Sequence, residues 1–478
     1  MIDMQSQAEY KMIDYCMFSP ITFFLMKEKR HRLDFLIDLF PFGTAPFIIL
    51  MITLFASFWL LFHPAVRKKG NLSLWVFAHM HYNAYKKMAP EFEKSHPGTK
   101  LDLQMVHITA VTSRLRSAMW AGIDVPDMVE VEISFAGTFF AGPVEQVGFM
   151  DLKPWLTSSG LYDRMVKTRF APYTNRGKIF GLPHDVHPVM LAYRRDLFEQ
   201  EGIDLAEVAS WEEFIEIGRR LTIPGKRYMI QLSDSGHGHI ESLLFQRDGG
   251  YFDKDGNVIL DNETAVETIK WYIPLVAGKD RIGSDIGAGA VFTKALEDGY
   301  LLSFLCPDWM TKSAEDDVPR VSGKMALMPL PAFYPGGRRT STMGGTMLAI
   351  TEKCKNKQLA LELARMIYLN REDLADRFRI TNIIPPYKDA WDHPVFMEPR
   401  AYWSNQPLGK VFIDLAEEAP AQYTSPYIWV AKMKLGEVVS SCSLYYSKNG
   451  EKGFDEFVRA RLKKAGDDIR KLMRRNPF

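Results

Sequence analysis

The sequence predicts an α/β protein of two lobes joined by a crossing stretch, with an apolar helix ahead of them. Three observations carry that expectation. Units of strand, amphipathic helix and strand repeat on both sides of Gly181–Phe198, and each side is long enough for a lobe of its own. Within that stretch, GLPHDVHPVMLAYRRDLF, two residues that precede prolines, Leu182 and His187, are pushed toward extended backbone, and an apolar strand then runs to Tyr193. Phe47–Phe62, FIILMITLFASFWLLF, is apolar throughout.

The chain has 478 residues, enough for two or three domains with large cores. Its formal charge is +1 and the two signs are mixed along the chain, so nothing favours a nucleic-acid partner. The cysteines, Cys16, Cys306, Cys354 and Cys442, form no CxxC pair, which argues against a zinc ribbon or a thioredoxin-type site. G-x-S-x-G, HExxH, Walker and G-x-G-x-x-G patterns are missing, which removes the enzyme classes they mark.

Residues 39–62 carry no charge, a length that can span a bilayer as a helix of roughly 20 residues. The stretch before it is too long for a signal-peptide n-region and no A-x-A site follows, so an uncleaved anchor is expected over 44–63, after a tail over 1–43. Lys27, Lys29, Arg30 and Arg32 barely outnumber Arg67, Lys68 and Lys69 across it, which favours an inside N-terminus only weakly. Strands are then expected at Leu72–Ala78, Lys100–Val106 and Pro126–Val131, with helices between them that turn Tyr85, Met88 and Phe92, then Val111 and Leu115, inward. Alternation of this kind indicates a mostly parallel sheet, whose ligands sit beyond the carboxyl ends of the strands. That rule puts His79 and His81, and Glu130 and Glu132, at the ligand edge. Beyond the crossing, Ser210–Glu213 is a capping box for a helix, and Asn262 opens a long one. Tyr300–Leu305 is a strand that delivers Asp308 and Trp309, Met325–Met328 and Met343–Ile350 are further strands, and Phe454–Met473 is an amphipathic basic helix.

From Leu72 to about Leu462 the order of segments resembles the extracellular solute-binding proteins of ABC importers, in the sugar-type family that includes maltodextrin-binding protein. The resemblance rests on Phe92–Gly98 (FEKSHPG), Ala121–Asp127 (AGIDVPD), Gly177–Pro183 (GKIFGLP), Tyr193–Phe198 (YRRDLF) with Gly202-Ile203, and Trp211–Glu213. It continues through Asp248–Phe252 (DGGYF), Gly323–Pro331 and Gly344–Ile350. Each motif is short and degenerate, and their order over nearly the whole body carries the weight. The resemblance implies a two-lobe periplasmic-binding-protein fold that closes on ligand like a trap. One lobe is expected over 71–184 plus 335–390, the other over 185–334 plus 391–478. It implies binding rather than catalysis, with no cofactor, a carbohydrate ligand and ABC permease subunits as partners; the apolar run adds the expectation of a body held outside the cytoplasmic membrane by a single pass. The uncleaved anchor departs from the family, whose members usually carry a signal peptide or a lipid.

The implied ligand positions are His79 and His81, Glu130, Glu132 and Ser134, Asp185 and His187, His237 and His239, Trp309, Gly344 and Gly345, and Tyr427. In sugar sites an aromatic face covers the apolar side of a pyranose while charged and amide groups bond its hydroxyls. Trp309 suits the first role, and Asp185, Glu130 and Glu132 the second. His79, His81, His184, His187, His237 and His239 are most of the eleven histidines and fall on expected cleft loops. Three readings stay open for them: sugar hydrogen bonds, ordinary lining of a wet cleft, or a metal, although no fixed ligand spacing is met. Closure is expected to bring imidazoles together from opposite lobes and to favour their neutral forms. A membrane-tethered sugar sensor and a hydrolase using Glu130 and Glu132 are the alternatives.

Overall fold

The computed structural model describes residues 44–62, 71–121, 123 and 125–475. Two units are described separately, one up to Lys68 and one from Lys69. In the first, α1 (Thr44–Phe62) is a helix of 19 residues without a charge. It rises about 28 Å, just under the ~30 Å of bilayer hydrocarbon. Among the described residues no helix is long and apolar enough to cross a membrane. The tail over 1–43, Cys16 and Gly122 lie outside the described residues.

The second unit holds two five-stranded sheets. In chain order its elements are β1 (Leu72–Val76), α2 (His79–Ser95), β2 (Leu101–Met105), α3 (Ile108–Ala121), β3 (Met128–Glu132), β4 (Leu182–Pro183) and β5 (Val189–Arg194). Then come α4 (Trp211–Leu221), β6 (Ile230–Gln231), α5 (Gly238–Gln246), α6 (Glu263–Val276), β7 (Gly283–Ser284), β8 (Ser303–Pro307) and α7 (Asp308–Asp317). β9 (Met325–Pro329), β10 (Thr346–Ile350), α8 (Lys357–Leu369), α9 (Arg371–Thr381), α10 (Ile428–Asn449) and α11 (Phe454–Arg475) complete the set used below.

The first sheet runs β2-β1-β3-β10-β4 and the second β9-β5-β8-β6-β7. In the first, β1 pairs parallel with β2 and β3, and β10 returns antiparallel to β3, Thr346 opposite Glu132. The alternating burial of β1 marks a strand with one face less covered, and the unbroken burial of β5, β8 and β10 marks strands covered on both faces. β3 and β10, fully central, expose almost nothing but Glu132. The local signals place the helices: Ser210 accepts the Glu213 N–H at the start of α4, and Asn262 that of Ala265 at the start of α6.

Between the sheets the chain crosses three times. The segment after Pro183 runs to Val189, the segment after Pro329 returns to Thr346, and Asn382–Tyr387 follows α9. These lie side by side: Val186 N–H bonds Ile384 O, Val189 N–H bonds Ser341 O, and Pro188 bridges Thr342. The crossing expected at Gly181–Phe198 is thus one of three, with β4 in one sheet and β5 in the other.

Candidate functional site

Asp185, in the first crossing, organises a buried cluster at the hinge. Its Oδ1 accepts from Arg169 Nη2 at 3.2 Å and its Oδ2 accepts the Thr346 N–H at 3.0 Å. His187 stands with Nε2 3.1 Å from Asp185 Oδ2 and Nδ1 2.6 Å from Asp308 Oδ1. Asp308 begins α7 beyond the end of β8, and its Oδ2 accepts the Ile384 N–H of the third crossing at 2.7 Å. One imidazole therefore ties the first crossing to a strand end of the second lobe. Burial opposes charge on His187, but Asp185 and Asp308 outweigh it and raise its pKa to about 9. Burial likewise opposes ionisation of Asp185, while His187, His184 and Arg169 hold its carboxyl well below the usual range.

Arg169 is fully buried and also donates to Thr342 Oγ1 at 2.8 Å and to Gly344 O at 3.1 Å. That packing explains the Gly-Gly pair. Gly344 has φ 90°, and a Cβ on Gly345 would stand 2.6 Å from Arg169 Nη2. Trp309 is half-buried beside them, its indole N–H donating to Met343 O at 3.1 Å.

A second buried group adjoins the first. Glu130 Oε1 accepts from the Tyr85 and Tyr368 hydroxyls at 2.7 and 2.8 Å, and Oε2 lies 2.8 Å from His81 Nδ1. Burial would raise its pKa, but His81, His184 and Tyr85 hold it at about 2. The His81 ring lies on that of His184 with centroids 3.9 Å apart. Burial, with Arg377 and His81 nearby, pushes His184 well below the ordinary histidine value.

The third group lies where the lobes touch. On the first lobe, Glu132 accepts the Ser134 N–H at 2.9 Å and caps the short turn that carries Phe135. Burial raises the Glu132 pKa, against the pull of Lys432. On the second lobe, Glu241 takes Lys432 Nζ at 2.8 Å, the Tyr251 hydroxyl at 2.6 Å and His237 Nδ1 at 3.1 Å. Burial opposes its charge, yet Lys432 and His237 bring it to about 2. Phe135 and Trp429 stack across the seam, centroids 5.1 Å apart and planes 24° apart. Gln422 Oε1 and Thr424 Oγ1 are buried there without partners. The space enclosed beside them is about 10 Å³, room for about one water. On the flank a larger cavity of about 680 Å³ opens between Thr168, Asn175 and Arg176 of one lobe and Asp253, Tyr423 and Thr424 of the other.

The expected site residues therefore fall in three places. His81, Glu130, Asp185, His187, Trp309, Gly344 and Gly345 belong to the hinge clusters. Glu132, Ser134 and His237 belong to the seam. His79, His239 and Tyr427 stand apart. His79 and His81 occupy the first turn of α2 rather than a loop, so one is exposed and the other buried. His239 accepts the Ser233 N–H at 3.1 Å, and burial takes its pKa to about 4. Tyr427 packs against the second-lobe core just before α10. The imidazoles expected to converge do not: His81 meets His184 within the first lobe, and His237 meets Glu241 within the second. Burial favours the neutral forms of His184 and His239, whereas His187, between two carboxylates, is raised instead.

Arg169, Phe135, Trp429, Glu241 and Lys432 were not anticipated. Trp429 sits two residues past Tyr427, and the apolar start of α10 (PYIWVAKM) held a signal that either aromatic could answer. The others are linked only through tertiary contacts.

Two α/β sheets joined by three crossings, with polar groups gathered at hinge and seam, define a bilobal binding protein. Residues 87–402 match the family model described as bacterial extracellular solute-binding protein, and the chain belongs to that family. This is the binding class expected over an enzyme. The chain is 26% identical over 336 residues to an arabinooligosaccharide-binding protein of Bacillus subtilis, covering 70% of this chain and 77% of that protein. It is 23% identical over 365 residues to one of Halalkalibacterium halodurans, covering 75% and 81%. The fold is shared with the sugar-binding protein of Xanthomonas citri at a TM-score of 0.69, over 84% of this chain and 99% of that one, at 17% identity.

Proposed function

We propose that this chain is the extracytoplasmic binding component of an ABC importer and that it captures a sugar or oligosaccharide between its lobes. The observation that carries the reading is the seam itself. Phe135 and Trp429 face each other from opposite lobes, bordered by Glu132, Glu241, Lys432 and the unpartnered Gln422 and Thr424. A pyranose presents two faces for aromatic contact and a rim of hydroxyls for carboxylate, ammonium and amide groups. The seam offers both chemistries; the space beside Glu241, Gln422, Thr424 and Lys432 is only about 10 Å³ and Phe135 stacks directly on Trp429, so the lobes have to part before a ligand goes in. The names of the two relatives in Bacillus and Halalkalibacterium make arabinose oligomers the first ligands to try.

A thermal-shift screen over mono- and oligosaccharides tests the reading, because ligand bound only to folded protein raises its melting temperature by mass action. A rise of several degrees with one saccharide class is expected. No rise across the library removes the sugar assignment. Trp429→Ala abolishing the shift, with Asn175→Ala leaving it, locates the ligand in the seam. The opposite pattern locates it in the flanking cavity. Of the residues anticipated for binding, Glu132, Ser134 and His237 are assigned to ligand contact, and Glu130, Asp185, His187, Trp309, Gly344 and Gly345 to holding the hinge.

The same proposal takes α1, which as described falls short of a full span, as part of the anchor expected over 44–63 in the cytoplasmic membrane. Its support is a charge-free helix whose large apolar side chains, among them Ile48, Ile49, Ile52, Phe55 and Phe58, are exposed. A reporter active only outside the cytoplasm, fused after Phe478, is expected to give signal. Signal only from a cytoplasm-active reporter overturns both anchor and import. Co-purification of permease subunits with the detergent-solubilised full chain separates an importer component from a tethered sensor.

A further inference from the structure

We propose that His81, Glu130 and His184 form a binding site for a divalent transition ion, zinc before others, at the base of the first lobe. One ring nitrogen of each histidine and one carboxylate oxygen of Glu130 lie within 4.8 Å of one another, and all three residues are buried. Independently, His184 Nε2 is buried without a hydrogen-bond partner, while its Nδ1 lies 3.2 Å from Asp185 Oδ2. A ring held through Nδ1 by a carboxylate, with Nε2 left as a lone pair, is how metal-bound histidines are oriented.

The buried Arg377 guanidinium, which donates to His184 O at 3.0 Å, opposes a cation here, and the carboxylate of Glu130 has to outweigh it. Glu130 is fully buried, and its Oε1 is already fixed by two tyrosine hydroxyls. That leaves Oε2, which now faces His81, for an ion. A cation there would serve the buried carboxylate and both rings at once, with His81 exchanging its 2.8 Å contact to Glu130 for the ion. Two imidazoles and one carboxylate suit zinc, at bonds of about 2.0–2.2 Å. Such bonds set ligand atoms roughly 3.3 Å apart in a tetrahedron, so His81 Nδ1 and Glu130 Oε2, now 2.8 Å apart, would part slightly to admit the ion. The i, i+2 histidine pairs that the sequence suggests do not supply this site; it joins His81 of α2, Glu130 of β3 and His184 from the edge of the hinge.

An ion there would pin three elements next to Asp185, and would stiffen the first lobe where the crossing leaves it. The test uses untagged full-length protein expressed with supplementary zinc and stripped of loose metal on a chelating resin. Mass spectrometry is expected to find about one zinc per chain, lost in His184→Gln and in Glu130→Gln and retained in His79→Gln. Zinc-loaded wild type should melt higher than protein expressed without it. Because either buried substitution could prevent folding, X-ray absorption on loaded wild type gives a reading free of variants. Two imidazoles and a carboxylate oxygen around zinc support the site. Wild type without zinc after that loading, zinc that survives both substitutions in folded protein, or a shell with fewer than two imidazoles overturns it.

Discussion

An imidazolium held between two buried carboxylates contributes to stability only while it keeps its second proton. His187 has a folded pKa of about 9, above the ~6.5 of an unperturbed histidine, so its contribution is complete below about 6.5 and is lost as pH rises through 9. At ~1.36 kcal/mol per unit the full span is on the order of 3 kcal/mol. Melting temperature is expected to fall between pH 7 and 9.5 in the native chain and to be flatter in His187→Gln. Equal slopes would remove His187 as the cause. At the seam, Trp429→Ala should weaken ligand binding by roughly two orders of magnitude, the value of a stacked aromatic at ~25 cal/mol per Å². Trp429 is 41% exposed, so the fold should survive. Calorimetry with the saccharide found by screening reads the loss, and an unchanged affinity puts the ligand elsewhere. Single residues were only partly legible in the sequence. Asp185 and His187 stood out because prolines and apolar strand flank them. Trp429 did not, because a two-residue offset at a helix start moves a side chain more than half-way round the axis. Arg169 and Lys432 look like any surface cation until their partners, far away in the chain, are in place.

The element that meets the other lobe most closely is the short turn after β3. Gly137 has an ordinary helical backbone, φ −58°, but a Cβ on it would overlap Ser425 O and Thr424 Oγ1. Gly137→Ala is therefore expected to wedge the seam without unfolding the lobe. Ligand affinity should drop about tenfold or more, which is ~1.4 kcal/mol, while the melting temperature without ligand changes little. Affinity equal to wild type would mean that the lobes do not close this tightly on ligand. Elements with strong periodicity or capping chemistry were readable in advance, as α4 after Ser210, α6 after Asn262 and α11 show. The start of α2 was not. Ala78 offers no side-chain cap, and the apolar and polar residues from Phe77 to Tyr82 carry no clear period, so two histidines were assigned to a loop that is a helix. β6 has only two residues, because it pairs with β8 at Gln231 alone and briefly with β7.

At the scale of the whole body, three crossings bonded side by side would act as one hinge line, with Asp185, His187 and Asp308 tying their ends together. Small-angle scattering should show a smaller radius of gyration with saccharide bound than without, and a ligand-independent larger one in Gly137→Ala. A radius unchanged by saturating ligand would rule out a swing. The two-lobe plan was visible in the order of short motifs. The number of crossings was not, because Asn382–Tyr387 carries no signal of its own. The central pairing of the first sheet, β3 with β10, joins Glu132 to Thr346. A ribosome must therefore deliver the whole second sheet before the first can close, since β5, β8 and β9 all lie between those two residues. Long-range pairing of this kind is slow. The nascent first lobe would remain threadable for most of its synthesis, which suits a body that has to pass through a narrow channel as an extended strand before it may fold.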